Sequence, residues 1–261
     1  MTSNDRHIQR SLVFLTSNPV KEVHGHVDLE QILHGVPSWS MQTMNLGPLR
    51  SSPSYMQHLR DTVGSSYDWS DELRFDKRTG RLASFVLKLP ESGQVDAAVA
   101  QAWLELPGQL GIPVIEEREN GFHIDPLDLR SLVEGENALM AVDARLPLPD
   151  CSSLRLTVAQ DVDFLFHENR YCGWVLRNPL TYLVAEPGDP IPGGDDPRVH
   201  DLLREYISVV VEPNIARMSD EDPVMRAALR SLYDRVRACN AVQARALEKA
   251  VARLLEIFYP E

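Results

Sequence analysis

The sequence predicts an α/β or α+β fold, with a mixed twisted sheet flanked by helices and a helical C-terminal region. Up to residue 185, short apolar runs typical of strands alternate with segments of helical periodicity. The stretch "EPGDPIPGGDDP" is then dense in Pro, Gly and Asp, and amphipathic segments follow it. We therefore predict a sheet-containing domain over 1–185, a linker over 186–197 and a helical region over 198–261.

The N-terminal part predicts a strand, a polar loop and a helix. Residues 11–16, Ser-Leu-Val-Phe-Leu-Thr, are an apolar, partly β-branched run that is typical of a buried strand. Residues 21–35 place apolar side chains at mostly helical spacing from Val23 onward, and Gly35 is a helix C-terminal signal. The run "MQTMNL" over 41–46 predicts a second strand.

The middle of the chain predicts a hairpin, a helix and further strands. Residues 72–89 hold two strand-like runs around "DKRTG", in which Gly80 suits the left-handed position of the turn. The alanine-rich residues 94–108 predict a helix, and 112–117 a short strand that ends in carboxylates. Three more strands are expected between 154 and 179, the last two paired around "NR".

Three amphipathic helices are expected at the C-terminal end. Their segments are 198–218, 223–240 and 242–259, and Pro223 suits a first helical turn.

Composition limits the classes of function. The chain has 261 residues, 43% of them hydrophobic, which is enough for a substantial core. Its net charge of −12 argues against a nucleic-acid partner, because such binding depends on neutralising phosphates. This charge still allows a small anion in a local basic pocket, or a basic protein partner.

The apolar runs indicate where the protein is located, and the cysteine spacing limits disulfide and zinc chemistry. The apolar runs are too short to cross a membrane, and "MTSNDRHIQR" has no signal-peptide core, so we predict a cytoplasmic protein without a membrane partner. The three cysteines, Cys151, Cys172 and Cys239, are scattered without C-x-x-C spacing, which disfavours a disulfide framework or a structural zinc site.

A phosphate site is predicted between the first strand and the helix after it. Thr16 ends the strand, Asn18 lies in the turn and Lys21 begins the helix, where unpaired backbone N–H groups favour an anion. The alternative is that Thr16 and Asn18 only shape the turn while Lys21 is solvated.

The nearby His24-Gly25-His26-Val27-Asp28 resembles the start of an H-x-H-x-D metal cluster. On a helix, residues two apart point to nearly opposite sides, whereas on a strand they share a face. Because we expect a helix, we predict a solvated face here and no metal.

The segment "LVFLTSNPVKEV" resembles the N-terminal signature of the inosine/xanthosine triphosphate pyrophosphatases, in which a strand runs into T-x-N-x-x-K. Thr16, Asn18 and Lys21 match it, and residues 98–127 and "FLFHENRYCGWVL" are weaker echoes. The resemblance implies a divergent, Mg²⁺-dependent enzyme that cleaves a nucleoside triphosphate to the monophosphate and pyrophosphate. It also implies a nucleotide or other phosphorylated small molecule as ligand. A homodimer is compatible with the sequence.

Departures from that signature leave the activity open. The segment "MNLGPL" lacks the expected acid, Arg118 replaces the Asp of an E-D pair, and no S-H-R motif occurs. Glu116 and Glu117 are the remaining candidates for catalysis, and Glu117 for binding the metal, with a solvated strand end as the alternative. A pseudoenzyme that binds nucleotides without catalysis, or an acidic immunity or inhibitor protein for a basic partner, is therefore the competing hypothesis.

Overall fold

The computed structural model describes residues 11–14, 22–29, 31–65, 70–91, 93–119, 121–133, 135 and 137–260. Thr16, Asn18 and Lys21, the predicted phosphate site, lie outside these residues. The described chain forms two β-sheets with helices, so the predicted mixed sheet flanked by helices, with a helical C-terminal region, is confirmed.

The larger sheet has eight strands in the described chain, in the order β1-β2-β8-β11-β12-β13-β10-β9. The strands are β1 (Ser11–Phe14), β2 (Val23–Leu29), β8 (Gly108–Ile115), β9 (Leu129–Val133), β10 (Ala138–Val142), β11 (Leu154–Ala159), β12 (Val162–His167) and β13 (Arg170–Arg177). Two pairings, β8 with β11 and β1 with β13, are parallel and the others antiparallel, which makes the sheet mixed.

One contact turns part of this sheet into a closed ring. The N–H of Val13 donates to the carbonyl of Asn169 (2.7 Å), where β1 runs beside the start of β13. The far half of β13 pairs instead with β10. Six strands therefore close on themselves, while β10 and β9 extend the sheet beyond the ring.

The smaller sheet is antiparallel, in the order β3-β4-β7-β6-β5. Its strands are β3 (Ser38–Trp39), β4 (Thr43–Leu46), β5 (Thr62–Gly64), β6 (Glu72–Asp76) and β7 (Leu82–Lys88). The predicted hairpin is β6 and β7, and Gly80 in its turn has φ +78°. Aromatic rings join the two sheets: Phe85 lies 5.7 Å from Phe164, and Phe14 lies 5.7 Å from Phe75, centroid to centroid.

Helices cover the sheets on several sides. They are α1 (Tyr55–Asp61), α2 (Ala97–Glu105), α3 (Pro197–Val209), α4 (Glu212–Ser219), α5 (Pro223–Ala238) and α6 (Ala244–Phe258), with a short 3₁₀ turn at Pro179–Tyr182. One hydrophobic core contains residues from the ring, the smaller sheet and helices α3 to α6, and a second, smaller one lies under α2. Within the described residues, no helix is long and apolar enough to cross a bilayer.

A buried ion pair fixes α2 to the larger sheet. Asp163 on β12 is fully buried, and its carboxylate lies 3.0 Å from Nε of Arg155 on β11 and accepts from the Thr157 hydroxyl at 2.6 Å. The Arg155 guanidinium also donates to the carbonyl of Leu104 at the C-terminal end of α2. The positive charge of Arg155 thus interacts favourably with both the buried Asp163 carboxylate and the negative C-terminal end of the α2 dipole.

Two elements differ from the sequence prediction. The prediction of a helix over 21–35 is wrong, because Val23–Leu29 forms strand β2, which is hydrogen-bonded between β1 and β8. Apolar residues four apart, such as Val23 and Val27, also fit a period of two, and pairing on both edges decides for the strand. The helix over 198–218 is two helices, since Pro213 lacks an N–H for the carbonyl of Val209 and begins a new first turn.

Replacing Asp163 with Ala leaves the buried Arg155 guanidinium without its carboxylate, so we expect a loss of about 3–5 kcal/mol in the free energy of unfolding. Urea denaturation measures this loss. The Asp163→Ala, Arg155→Met double variant should recover part of it. The matched control is Asp143→Ala, which breaks a solvent-exposed pair with Arg145 and should cost under about 1 kcal/mol. Equal losses in the two single variants would contradict the buried-pair interpretation.

Candidate functional site

The predicted catalytic residues Glu116 and Glu117 lie immediately after β8 and are exposed. The backbone N–H of Glu116 donates to the carbonyl of His24 (3.0 Å), which ties this strand end to β2. With Arg118, Glu119 and Lys77 they line a shallow pocket of about 490 Å³.

The acidic end of β8 is an exposed, negatively charged surface and not an enclosed binding site. Lys77 donates through Nζ to the carbonyl of Arg60 (2.6 Å), and Arg118 donates to the carbonyl of Arg78, so both cations have backbone partners. Across the part of the chain that the structure describes, no group of three or more His, Cys, Asp or Glu side chains could hold a metal ion. Glu117, the predicted metal residue, is therefore not in such a group.

The histidine motif takes the strand geometry that we did not expect. His24 and His26 alternate on β2 with buried Val23 and Val27, so the two imidazoles share a face. The carboxylate that would complete the motif is engaged, because Asp28 lies 2.6 Å from the guanidinium of Arg81. The geometric reason for excluding a metal was thus wrong, but the described residues still form no metal-binding group.

A second pocket, absent from the sequence prediction, lies on the outer face of the smaller sheet. Its volume is about 380 Å³, and we call it the Arg50–Lys88 pocket. The lining residues are Thr43, Asn45, Pro48, Leu49, Arg50, Ser51, Tyr55, Val86, Lys88 and Pro187. They include two cations and no carboxylate, although the chain as a whole carries a net charge of −12.

Strand pairing and one glycine build this pocket. Thr43 pairs with Lys88 and Asn45 with Val86, so four side chains of β4 and β7 stand together on the outer face. Gly47 then has φ +145°, and a Cβ there would lie 2.5 Å from Cβ of Ser84. Only glycine allows the chain to turn so closely over the sheet, which brings the loop carrying Arg50 above Lys88.

A polar network lies beside the pocket, under α1. Glu72 is buried, and its carboxylate lies 3.5 Å from the Arg50 guanidinium. Arg74 donates from Nε to the Thr62 hydroxyl (3.1 Å), and burial, more than any other cause, lowers the pKa of its guanidinium. The buried Glu72 carboxylate thus lies beside Arg50 at the pocket edge.

The same network contains a serine and a histidine at hydrogen-bond distance. Nε2 of His58 lies 2.7 Å from Oγ of Ser84, and burial followed by the charge of Arg74 lowers the pKa of His58. A neutral imidazole beside a hydroxyl is the starting arrangement of a nucleophilic serine. However, Ser84 is only 5% exposed and lies against Gly47, so the contact fixes α1 to the sheet.

A carboxylate with an altered pKa lies behind Lys88, on the inner face of the sheet. Asp71 is buried and accepts the N–H of Lys88 through Oδ1 (2.7 Å) and the Tyr171 hydroxyl through Oδ2 (2.7 Å). Burial raises the pKa of Asp71 from 3.8 to about 6, although both hydrogen bonds oppose the shift. Lys88 thus has its side chain in the pocket and its backbone on a core carboxylate.

The missed pocket left little signal in the sequence. Polar Asn45, Arg74 and Lys88 alternate with apolar neighbours in their strands, which indicates outward-facing positions. Nothing in that alternation indicates that Arg50 turns back over the same face.

No protein-family model, curated protein or solved structure matches this chain.

The raised pKa of Asp71 predicts a pH-dependent stability. The folded state binds a proton more tightly than the unfolded chain, so this contribution is complete below pH 3.8 and is lost as pH rises through about 6. The shift corresponds to about 3 kcal/mol. Asp71→Asn cannot ionise, so its free energy of unfolding relative to the wild type should increase by about 2 kcal/mol between pH 4 and pH 7, because the contribution is not yet complete at pH 4.

Urea denaturation across this pH range measures the difference. Carboxylates with lowered pKa values, such as Asp76 and Asp222, contribute with the opposite sign in both proteins and cancel in the comparison. A constant difference between variant and wild type would show that Asp71 titrates normally.

Proposed function

We propose that this protein binds a phosphorylated small molecule in the Arg50–Lys88 pocket and does not hydrolyse it. The observation that carries the proposal is the composition of that pocket, whose ionisable lining includes two cations and no carboxylate in a strongly acidic chain. A cytoplasmic location, expected from the sequence, and a nucleotide or other phosphorylated small molecule as ligand are part of this proposal.

The pocket chemistry suits a phosphate group. The planar guanidinium of Arg50 can donate two parallel hydrogen bonds to phosphate oxygens, and Lys88 adds a compact charge. Thr43, Asn45 and Tyr55 provide uncharged hydrogen-bonding groups, whereas Val86 and the Pro48–Leu49 segment provide an apolar wall. The volume of about 380 Å³ lies within the range of small-molecule sites.

Binding without cleavage is favoured by the positions of the carboxylates. Metal-assisted cleavage of a triphosphate requires carboxylates beside the polyphosphate to hold Mg²⁺ and orient water. Glu116 and Glu117 line a different pocket, beside Lys77. Glu72, the carboxylate next to the Arg50–Lys88 pocket, is directed at Arg50.

The acidic end of β8 supports a second candidate function, that of an inhibitor-type protein for a basic partner. Glu116, Glu117 and Glu119 are exposed together around one shallow pocket, which would give an electrostatically guided contact. Such a complex would weaken in salt. A Glu116→Gln, Glu117→Gln variant would weaken it without changing phosphate binding in the Arg50–Lys88 pocket.

Lys88→Gln tests the proposed site, because it removes the charge while keeping a polar side chain and leaves the backbone contact with Asp71 intact. We expect the affinity for a phosphorylated ligand to fall about 10- to 100-fold, as for loss of one charge-assisted hydrogen bond. Isothermal titration calorimetry measures this with a panel of nucleotides, sugar phosphates and simple phosphomonoesters. Lys77→Gln, the same exchange on an exposed turn, is the matched control and should bind normally.

Two further outcomes are informative. Failure of the whole panel to bind or to raise the melting temperature, with and without Mg²⁺, would overturn the proposed function. Release of pyrophosphate from any nucleoside triphosphate by the wild type would replace binding with hydrolysis.

A further inference from the structure

A groove along α6 lies next to the Arg50–Lys88 pocket. Thr43 and Pro187 line both cavities, so the two are adjacent. The groove has a volume of about 380 Å³ and lies between the β3–β4 turn, the segment 185–187 and one face of α6. We refer to the groove and the Arg50–Lys88 pocket together as the cleft; Lys88 and Arg50, which pairs with Glu72, lie at its pocket end.

The α6 wall of the groove becomes more apolar toward its C-terminal end. Ala246 and Ala250 allow close approach to the helix backbone, and Leu254, Ile257 and Phe258 follow at helical spacing. The stretch from Ala246 to Ile257 is about 16 Å long at the rise of an α-helix. The Ile257 side chain in this groove is 56% exposed, so apolar surface of the groove is in contact with water.

The charged groups of the groove are largely balanced within it. Lys249 forms an ion pair with Glu186, and Glu91 and Arg253 line the same groove with opposite charges. Opposite α6, Met41 has φ +59°, a left-handed conformation that is uncommon for a residue with a Cβ. Met41 is buried and lines the same groove as Leu254 and Ile257.

We propose that the ligand is an amphipathic phosphomonoester, with its phosphate at Arg50 and Lys88 and an extended alkyl chain in the groove along α6. The proposal rests on the proposed function, since it assigns the class of ligand to the same pocket. A phosphate alone fills only the cationic end of the cleft. An apolar chain of a free, monomeric ligand would cover the exposed Ile257 side chain and contact Leu254 and Phe258.

A homologous series of n-alkyl phosphates, from butyl to octyl, tests the chain site by calorimetry below the micelle concentration. We expect the affinity to rise roughly fourfold for each methylene that the groove buries. Ile257→Ser should weaken octyl phosphate about fivefold or more, and should leave inorganic phosphate unchanged. Val224→Ser removes an exposed apolar side chain from α5 and is the matched control.

Each outcome separates the chain site from the phosphate site. An affinity independent of chain length, with Lys88→Gln still weakening every phosphate compound, overturns the chain site alone. Tight binding of neutral octyl glucoside would overturn the phosphate anchor of this ligand. Binding of the protein only to vesicles that contain phosphatidic acid would overturn the proposal of a free, monomeric ligand. If the wild type binds no phosphate compound at all, the proposed function is overturned as well.

Discussion

The hydrogen bond from Tyr171 to Asp71 is the contact on which the arrangement of the two sheets depends. Tyr171 belongs to β13 of the larger sheet, and Asp71 precedes β6 of the smaller one. The same carboxylate accepts the backbone N–H of Lys88, so a single buried group sets the position of β7 relative to the ring. Because the Arg50–Lys88 pocket lies on the opposite face of β7, a contact in the core helps to position Lys88.

Buried arginines connect helices to the larger sheet in two places. Arg155 donates to the carbonyls of Trp103 and Leu104 at the end of α2, and Arg130 donates to those of Ile207 and Val210 at the end of α3. Carbonyls at helix C-termini lack intrahelical partners and carry partial negative charge, so a guanidinium satisfies both needs. Burial lowers the pKa of Arg130, which shows that its desolvation cost is partly uncompensated.

The sequence predicted the elements whose signals are local. The β6–β7 hairpin, α2 and the C-terminal helices each have their periodicity and turn residues within one segment. Strand β2 was missed because its apolar residues fit both periods, and its partners β1 and β8 lie far apart in the chain. The pocket was missed for the same physical reason: Thr43, Arg50 and Lys88 come together only through antiparallel pairing and the turn at Gly47.

The ring closure has a consequence for how the chain folds. Val13 meets Arg170 only after about 160 further residues have been synthesised, so closing the ring carries a loop-closure entropy cost. Proteins rich in such distant contacts fold slowly, because the chain must lose much freedom before these contacts stabilise it. Until then β1 can pair only with β2, and the other edge of β1 stays open to strands of other chains. Of the described strands, β1 is therefore the one that depends longest on protection during synthesis.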